Sequence, residues 1–214
     1  MTADIIFIHG SHNISSEVIT KRDALQSVSR IYDPLGLFFP ATLNAKLFIQ
    51  ELWKQEKDWN VTFSQSHQQE RNKIYESLTP LSSQPLPQYI EGEEPKLFCL
   101  IDASAKAYSS AVYLYSSING KATVNLVFSK ACVAPAKQLS IPRLELLGVL
   151  IGTRCLSHVT QQLQLSVLNR FLWTDSRCGL HWMTACKPLP VFVQNRLREI
   201  TSHKDIKFDY VSTS

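Results

Sequence analysis

Residues 96–109 read KLFCLIDASAKAYS, and the fold turns on them. The apolar run before Asp102 reads as a buried strand that delivers a carboxylate at its carboxyl end. Two more acids are placed to meet it. One is Glu145, early in the apolar run PRLELLGVLIGTRCL; the other is Asp175, at the end of NRFLWTD. Three carboxylates from a strand end, a helix and a strand end make an oxygen-ligand set for a divalent metal, and that set points to phosphodiester chemistry.

Working outward, SSAVYLYSS (109–117) reads as a second strand, and Asn119-Gly120 after it is a strong hairpin turn. KATVNLVFS (121–129) is a third strand, and KACVAPAKQLS an irregular basic loop. Pro142 suits the first turn of a helix that runs over 142–163. RFLWTD is a fourth strand, with Trp173 expected to face the core. SRCGLHWMTAC is a short helix, 189–200 another, and KFDYVS (207–212) a last strand. The order βββαβααβ predicts an α/β domain of the α+β kind, with a mixed sheet. Asp102 and Asp175 then stand at carboxyl ends of strands, the edge where α/β sheets bind ligands. Glu145, one turn into the long helix, can point onto the same edge. Like charges this close repel, so a bound cation is their natural stabiliser.

The N-terminal part has a different period. Residues 1–20 give no clear signal, although DIIFI is compatible with a strand. Ala24, Leu25, Val28 and Ile31 recur at helical spacing, and Asp33-Pro34 stops that helix, because proline disfavours the helical region for the residue before it. A second amphipathic helix is expected over 41–59, its face marked by Leu43, Leu47, Ile49, Leu52 and Trp53, and a third, mostly polar one over 66–78. Residues 79–95 hold Pro80, Pro85, Pro87 and Pro95, and read as an irregular linker and domain boundary.

Composition narrows the function classes. No run of 18 apolar residues spans a membrane, and the start of the chain lacks the pattern of a secretory signal. The five cysteines are odd in number and without CxxC spacing, which fits a reducing, intracellular setting, cytoplasmic or nuclear. Charge is uneven. Residues 97–214 carry 13 basic and 6 acidic side chains, a net +7 within a chain of net +4. Three of those six acids are the proposed metal set, so the rest of this half suits a polyanion. Lys130, Lys137 and Arg143 flank Glu145 in sequence and are candidates for backbone phosphate contacts. Ser104 and Ser176 follow Asp102 and Asp175 closely and are candidates for phosphate or ribose 2′-OH contacts, with helix capping the competing role for Ser176. Asn195, Arg196 and Arg198 on the late helix are candidates for strand contact, and His181 for proton transfer. The scattered His and Cys residues make no zinc set, and there is no P-loop and no GxGxxG.

The segments TKRDALQSVSRIYDPLGLFFPATLNAKLFIQELW, IDASAKAYSSAVYL, FSKACVAPAKQLSIPRLELLGVLIGTR, LWTDSRCGLHWM and FVQNRLREI, collinear over residues 20 to 200, resemble the Pol polyprotein of Bel/Pao-type LTR retrotransposons. Sequences of this type also carry the name Pao retrotransposon peptidase. The resemblance implies a helical reverse transcriptase thumb/connection-like segment at 21–78, the linker at 79–95, and an RNase H-like domain at 96–214. Such domains cut the RNA strand of an RNA–DNA hybrid, with four acids holding two Mg²⁺ or Mn²⁺ ions. Matched residue by residue, Asp102, Glu145 and Asp175 are the first three acids. The fourth follows the last strand in a segment resembling ENPAD, whereas this chain ends at YVSTS. The chain is therefore read as a piece of that polyprotein, truncated at both ends, whose partners are nucleic acid and other Pol segments. The alternative is a non-catalytic remnant that binds nucleic acid or a partner. The polymerase Asp-Asp pair is absent, and neither Asp-Ala-Ser nor Asp-Ser-Arg is the Asp-Thr-Gly or Asp-Ser-Gly of an aspartic peptidase.

Overall fold

The computed structural model describes residues 5–7, 20–55, 58–78, 85–87, 93–163 and 169–212. The chain divides into two compact units, Met1–Ile90 and Glu91–Ser214.

In the first unit, β1 (Ile5–Phe7) and β2 (Pro85–Pro87) pair antiparallel, with Ile6 opposite Leu86. The stretch 79–95 is thus not irregular throughout. A proline lacks the N–H but keeps its carbonyl, so a short two-stranded ladder tolerates one at each end of a strand. Residues 79–84 and 88–92 of the expected linker lie outside the described residues.

Three helices follow β1: α1 (Lys21–Ser29), α2 (Phe39–Lys54) and α3 (Gln65–Leu78). Thr20 starts α1 with a capping box. Its hydroxyl accepts the Asp23 N–H at 3.3 Å, and its own N–H donates to Asp23 Oδ2 at 3.0 Å. The Thr20 hydroxyl, donating to Asp23 Oδ2 at 2.7 Å, and then the Thr20 N–H hold the Asp23 carboxyl below its usual range. α1 ends before Asp33 because that carboxylate is used in a turn, accepting the N–H groups of Leu37 and Phe38, each at 2.9 Å. The buried face of α2 is Thr42, Ala45, Phe48, Ile49 and Leu52; Trp53, expected on that face, is exposed. Ala24, Phe48, Leu52 and Phe63 form one core cluster, closed by an edge-on contact of the Phe48 and Phe63 rings at 5.8 Å. Ala45 and Leu78 form a second.

The second unit begins with β3 (Glu93–Ala103), β4 (Ala107–Ile118) and β5 (Lys121–Val133), an antiparallel meander. Asn119 (φ 50°) and Gly120 (φ 74°) make the two-residue turn between β4 and β5. The expected loop at 130–140 is half strand: Ala131, Cys132 and Val133 continue the ladder opposite Ser109, Tyr108 and Ala107. Then come α4 (Ile141–Leu163), β6 (Asn169–Thr174), α5 (Arg177–Thr184), α6 (Val191–Ile200) and β7 (Ile206–Tyr210). The sheet order is β5-β4-β3-β6-β7, with β6 parallel to β3 and β7 parallel to β6. This is a mixed five-stranded sheet in an α+β unit, as the sequence leads one to expect.

Helix α4 packs along β3, β4, β5 and β6, and α6 packs on α4. Arg154 of α4 and Glu199 of α6 join the two helices, Nη2 to Oε2 at 2.8 Å. On the α4 side of the sheet Leu97, Cys99, Ile101, Val112, Leu114 and Leu172 are buried. Gly152 sets how near the helix comes. A Cβ there would fall 2.9 Å from Ile101 Cγ2 and 3.0 Å from both Cys99 Sγ and Leu172 Cδ1. Trp173 does not join this core. The pleat sends it to the opposite face from Leu172 and Thr174, where it meets the Phe98 ring at 4.9 Å and Phe98 stacks on Phe171 at 5.1 Å.

Candidate metal centre

The β3–β6 register places Ile101 beside Thr174, so Asp102 and Asp175 are the next pair along two neighbouring parallel strands. Helix α4 brings Glu145 to the same corner. Oxygen atoms of Asp102, Glu145 and Asp175, one from each, lie within 4.8 Å of one another. Their environments grade from open to closed: Asp102 is exposed, Asp175 half-buried and Glu145 buried.

The electrostatics of the corner are unfavourable without a cation. Burial pushes the Glu145 carboxyl from 4.5 up to about 7, and the charges of Asp175 and then Asp102 add to the rise. Glu145 Oε2 and Asp175 Oδ1 are buried, and neither has a hydrogen-bond partner among the described residues. Orphaned acceptors of this kind cost about 1–3 kcal/mol each unless something satisfies them. Hard oxygen donors, convergent and unsatisfied, fit a hard divalent cation such as Mg²⁺ or Mn²⁺.

Two residues that periodicity does not single out shape the corner. Thr174 is fully buried, its hydroxyl accepts the Ser176 N–H at 3.0 Å, and its carbonyl accepts the Val211 N–H at 2.9 Å, so the bend carrying Asp175 is tied on both sides. Gly148 lies one turn before Gly152 on α4, and a Cβ there would be 3.8 Å from the Asp102 carbonyl oxygen. The signal for both glycines was in the sequence: two of them four residues apart in an apolar helix mark a close approach.

The other candidates divide. Ser104 closes the β3–β4 turn, its hydroxyl donating to the Ala107 carbonyl at 3.2 Å and accepting the N–H groups of Lys106 and Ala107. Ser176 is the N-cap residue of α5, but its side chain makes no cap bond. Lys130 is exposed on β5 and Lys137 exposed in the loop after it. His181 and Asn195 are exposed, and His181 is not among the three clustered acids. Arg143 and Arg196 do come together, both over the ring of Phe192, a residue the sequence reading passes over. Asp205 pairs with Arg170, and Asp209 stands exposed on β7, so neither supplies a fourth acid to the cluster.

A five-stranded mixed sheet with carboxylates from its first strand, its long helix and its fourth strand defines an RNase H-like domain. The family model described as Pao retrotransposon-like RNaseH-like domain matches residues 20–176, and the chain belongs to that family. It is an RNase H-like domain of the retrotransposon Pol type. No curated protein matches it. Among solved structures, the foamy viral protease-reverse transcriptase in complex with an RNA/DNA hybrid is similar, with a TM-score of 0.57 and 14% identity over 94% of this chain. The foamy viral protease-reverse transcriptase in complex with double-stranded DNA and the foamy viral protease-reverse transcriptase dRH in complex with double-stranded DNA are also similar, each with a TM-score of 0.55, at 14% and 15% identity over 94% of this chain. This chain spans only 26% to 40% of the length of those three chains. At these identities the likeness is one of fold.

Proposed function

We propose that the second unit is a metal-dependent nuclease that hydrolyses the RNA strand of an RNA–DNA hybrid, and that the helices of the first unit serve as its thumb/connection-like segment within a longer Pol protein. One observation carries the reading: Asp102, Glu145 and Asp175 meet within 4.8 Å, with two buried oxygens left unsatisfied. These three residues would hold the divalent ions. Bound there, the ions would supply an activated water and neutralise charge building at the phosphate.

The protein's own part is binding and alignment. A net +7 over residues 97–214 draws in the phosphate backbone, although this region also holds the acidic corner. The fixed bend at Thr174–Ser176 keeps Asp175 aimed at Asp102. Similarity to a polymerase solved with an RNA/DNA hybrid supports hybrid as the duplex to test.

The test is cleavage of a labelled RNA–DNA hybrid with Mg²⁺ or Mn²⁺, beside an Asp102→Asn control. Metal-dependent cleavage that the control loses is the expected result. Hybrid binding without cleavage, in this chain and in one extended through an acidic segment after β7, would replace this reading with that of a binding remnant.

A further inference from the structure

We propose that the sheet face turned away from α4 is a stacking platform for single-stranded nucleic acid, built by Phe98, Tyr115, Phe171 and Trp173 with Lys96 and Lys207 at its ends. The inference goes beyond the nuclease reading and does not depend on it. The rings make one continuous stripe across β4, β3 and β6. Phe98 stacks on Phe171 at 5.1 Å with 11° between the planes, and it meets Trp173 at 4.9 Å and Tyr115 at 6.3 Å. A lysine closes each end, Lys207 Nζ 5.3 Å from the centre of the Phe171 ring and Lys96 Nζ 5.5 Å from that of Tyr115.

The pleat puts these residues on one face. Their chain neighbours Leu97, Cys99, Leu114 and Leu172 are buried beneath α4, whereas Lys96, Phe98, Tyr115, Phe171 and Trp173 are half-buried and Lys207 is exposed. Helix α4 lies along the sheet on the other face, and α5 and α6 pack on α4, so no described helix of this unit covers the stripe. Leu100, Val124 and Leu126, on the same face as the rings, are 39%, 61% and 40% exposed. A face this apolar and this open calls for a ligand.

Ring chemistry and charge together select that ligand. Aromatic rings stack on any base, and cations beside them meet the phosphates, a combination that reads no sequence. Neither lysine is paired with a carboxylate among the described residues. Lys207 donates to Asn169 Oδ1 at 3.3 Å and keeps further N–H donors for a phosphate oxygen. The net +7 over residues 97–214 adds a long-range pull on a polyanion. Lys207, Phe171, Phe98 and Tyr113 stand in register on β7, β6, β3 and β4. With strands ~4.8 Å apart, this row is about 14 Å long, room for a few bases. Asp209, exposed and in register beside Trp173, opposes phosphate and bounds the stripe on that side. From Phe98 to Asp102 along β3 is about 13 Å, so the platform stands apart from the carboxylate corner.

The experiment measures anisotropy of fluorescent oligothymidylate, with oligouridylate as the RNA arm, across a salt series, using the full chain without divalent metal. Both probes should bind, and Asp102→Asn should bind at least as well as wild type. Phe171→Leu and Trp173→Leu keep apolar bulk and lose the ring, and each should weaken binding about tenfold. Lys96→Gln and Lys207→Gln should each lower the slope of log Kd against log salt by about 0.7, and they carry the test if the ring variants fail to fold. Asp209→Asn should tighten binding. Quenching of tryptophan fluorescence by the probe should disappear in Trp173→Leu, which retains Trp53, Trp59 and Trp182. Leu126→Ser, beside the stripe on β5, should leave affinity unchanged. Ring and lysine variants that all bind like wild type would overturn the platform. A dimer in sedimentation that Leu126→Ser breaks, with no oligonucleotide bound, would overturn it too and assign the face to a second copy of the chain. Absence of hybrid cleavage beside intact oligonucleotide binding would remove the nuclease reading and leave the platform standing.

Discussion

Glu145 Oε2 and Asp175 Oδ1 are both buried at one corner of the sheet, and neither has a hydrogen-bond partner among the described residues. Folding therefore brings two acceptors together against their own preference. The consequence is a site whose charge state depends on pH.

The first expected outcome concerns stability. In the unfolded chain Glu145 titrates near its ordinary 4.5, and in the folded protein at about 7. Below pH 4.5 both states hold the proton. Between 4.5 and 7 the folded state keeps a proton that the unfolded chain has lost, so stability falls as pH rises, and the loss is complete above 7. Asp102 leaves one side of the corner open to solvent, so the loss is discounted to about 1–2 kcal/mol. Urea unfolding at a series of pH values without metal should show this slope, and Glu145→Gln should remove it. Equal slopes in the two proteins would mean that Glu145 titrates normally.

The second outcome separates the causes of that rise. Burial is the largest, followed by the charge of Asp175 and then that of Asp102. Asp175→Asn should therefore lower the Glu145 pKa more than Asp102→Asn does, and neither should return it to 4.5. Carboxyl carbon NMR reads this directly. The reverse order would show that the exposed Asp102 couples more strongly to Glu145 than the half-buried Asp175.

Much of this corner was legible before the structure. Asp102 and Asp175 each end an apolar run, so each had to stand at a strand terminus, and Glu145 had to lie early in a long apolar helix. Trp173 was misplaced because β6 carries apolar side chains on both faces, Leu172 buried on one and Phe171 and Trp173 half-buried on the other, so the strand shows no apolar–polar alternation to read. The linker was over-read because proline forbids a donor but not a strand, as Pro85 and Pro87 demonstrate. Phe192 escaped notice because its role is to gather Arg143 and Arg196 from two helices, a relation that exists only after packing.

The third outcome tests how near α4 must lie. Gly152→Ala forces a methyl to within 3.0 Å of Cys99 Sγ and Leu172 Cδ1 and 2.9 Å of Ile101 Cγ2, so it should destabilise by about 1–3 kcal/mol. Gly148→Ala meets nothing nearer than Ile101 Cδ1 at 3.6 Å and should be neutral or stabilising by up to about 1 kcal/mol through helix propensity. Chemical denaturation should show a loss for Gly152→Ala and none for Gly148→Ala. Similar losses in both would mean that helix spacing is not set at Gly152.

The last outcome isolates backbone from packing. At Gly120 φ is +74° and a Cβ would meet no atom within 4 Å. Gly120→Ala therefore adds no clash, and any loss comes from placing an L side chain in the left-handed region, about 1–2 kcal/mol. Gly120→Asn should cost less, because asparagine tolerates that region. The β4–β5 hairpin is far along the sheet order from β6 and β7, so hybrid affinity should be unchanged in both variants while the unfolding midpoint drops. An alanine variant as stable as wild type would show that the turn relaxes to a negative φ, and that the register of Ile118 against Lys121 does not depend on this glycine.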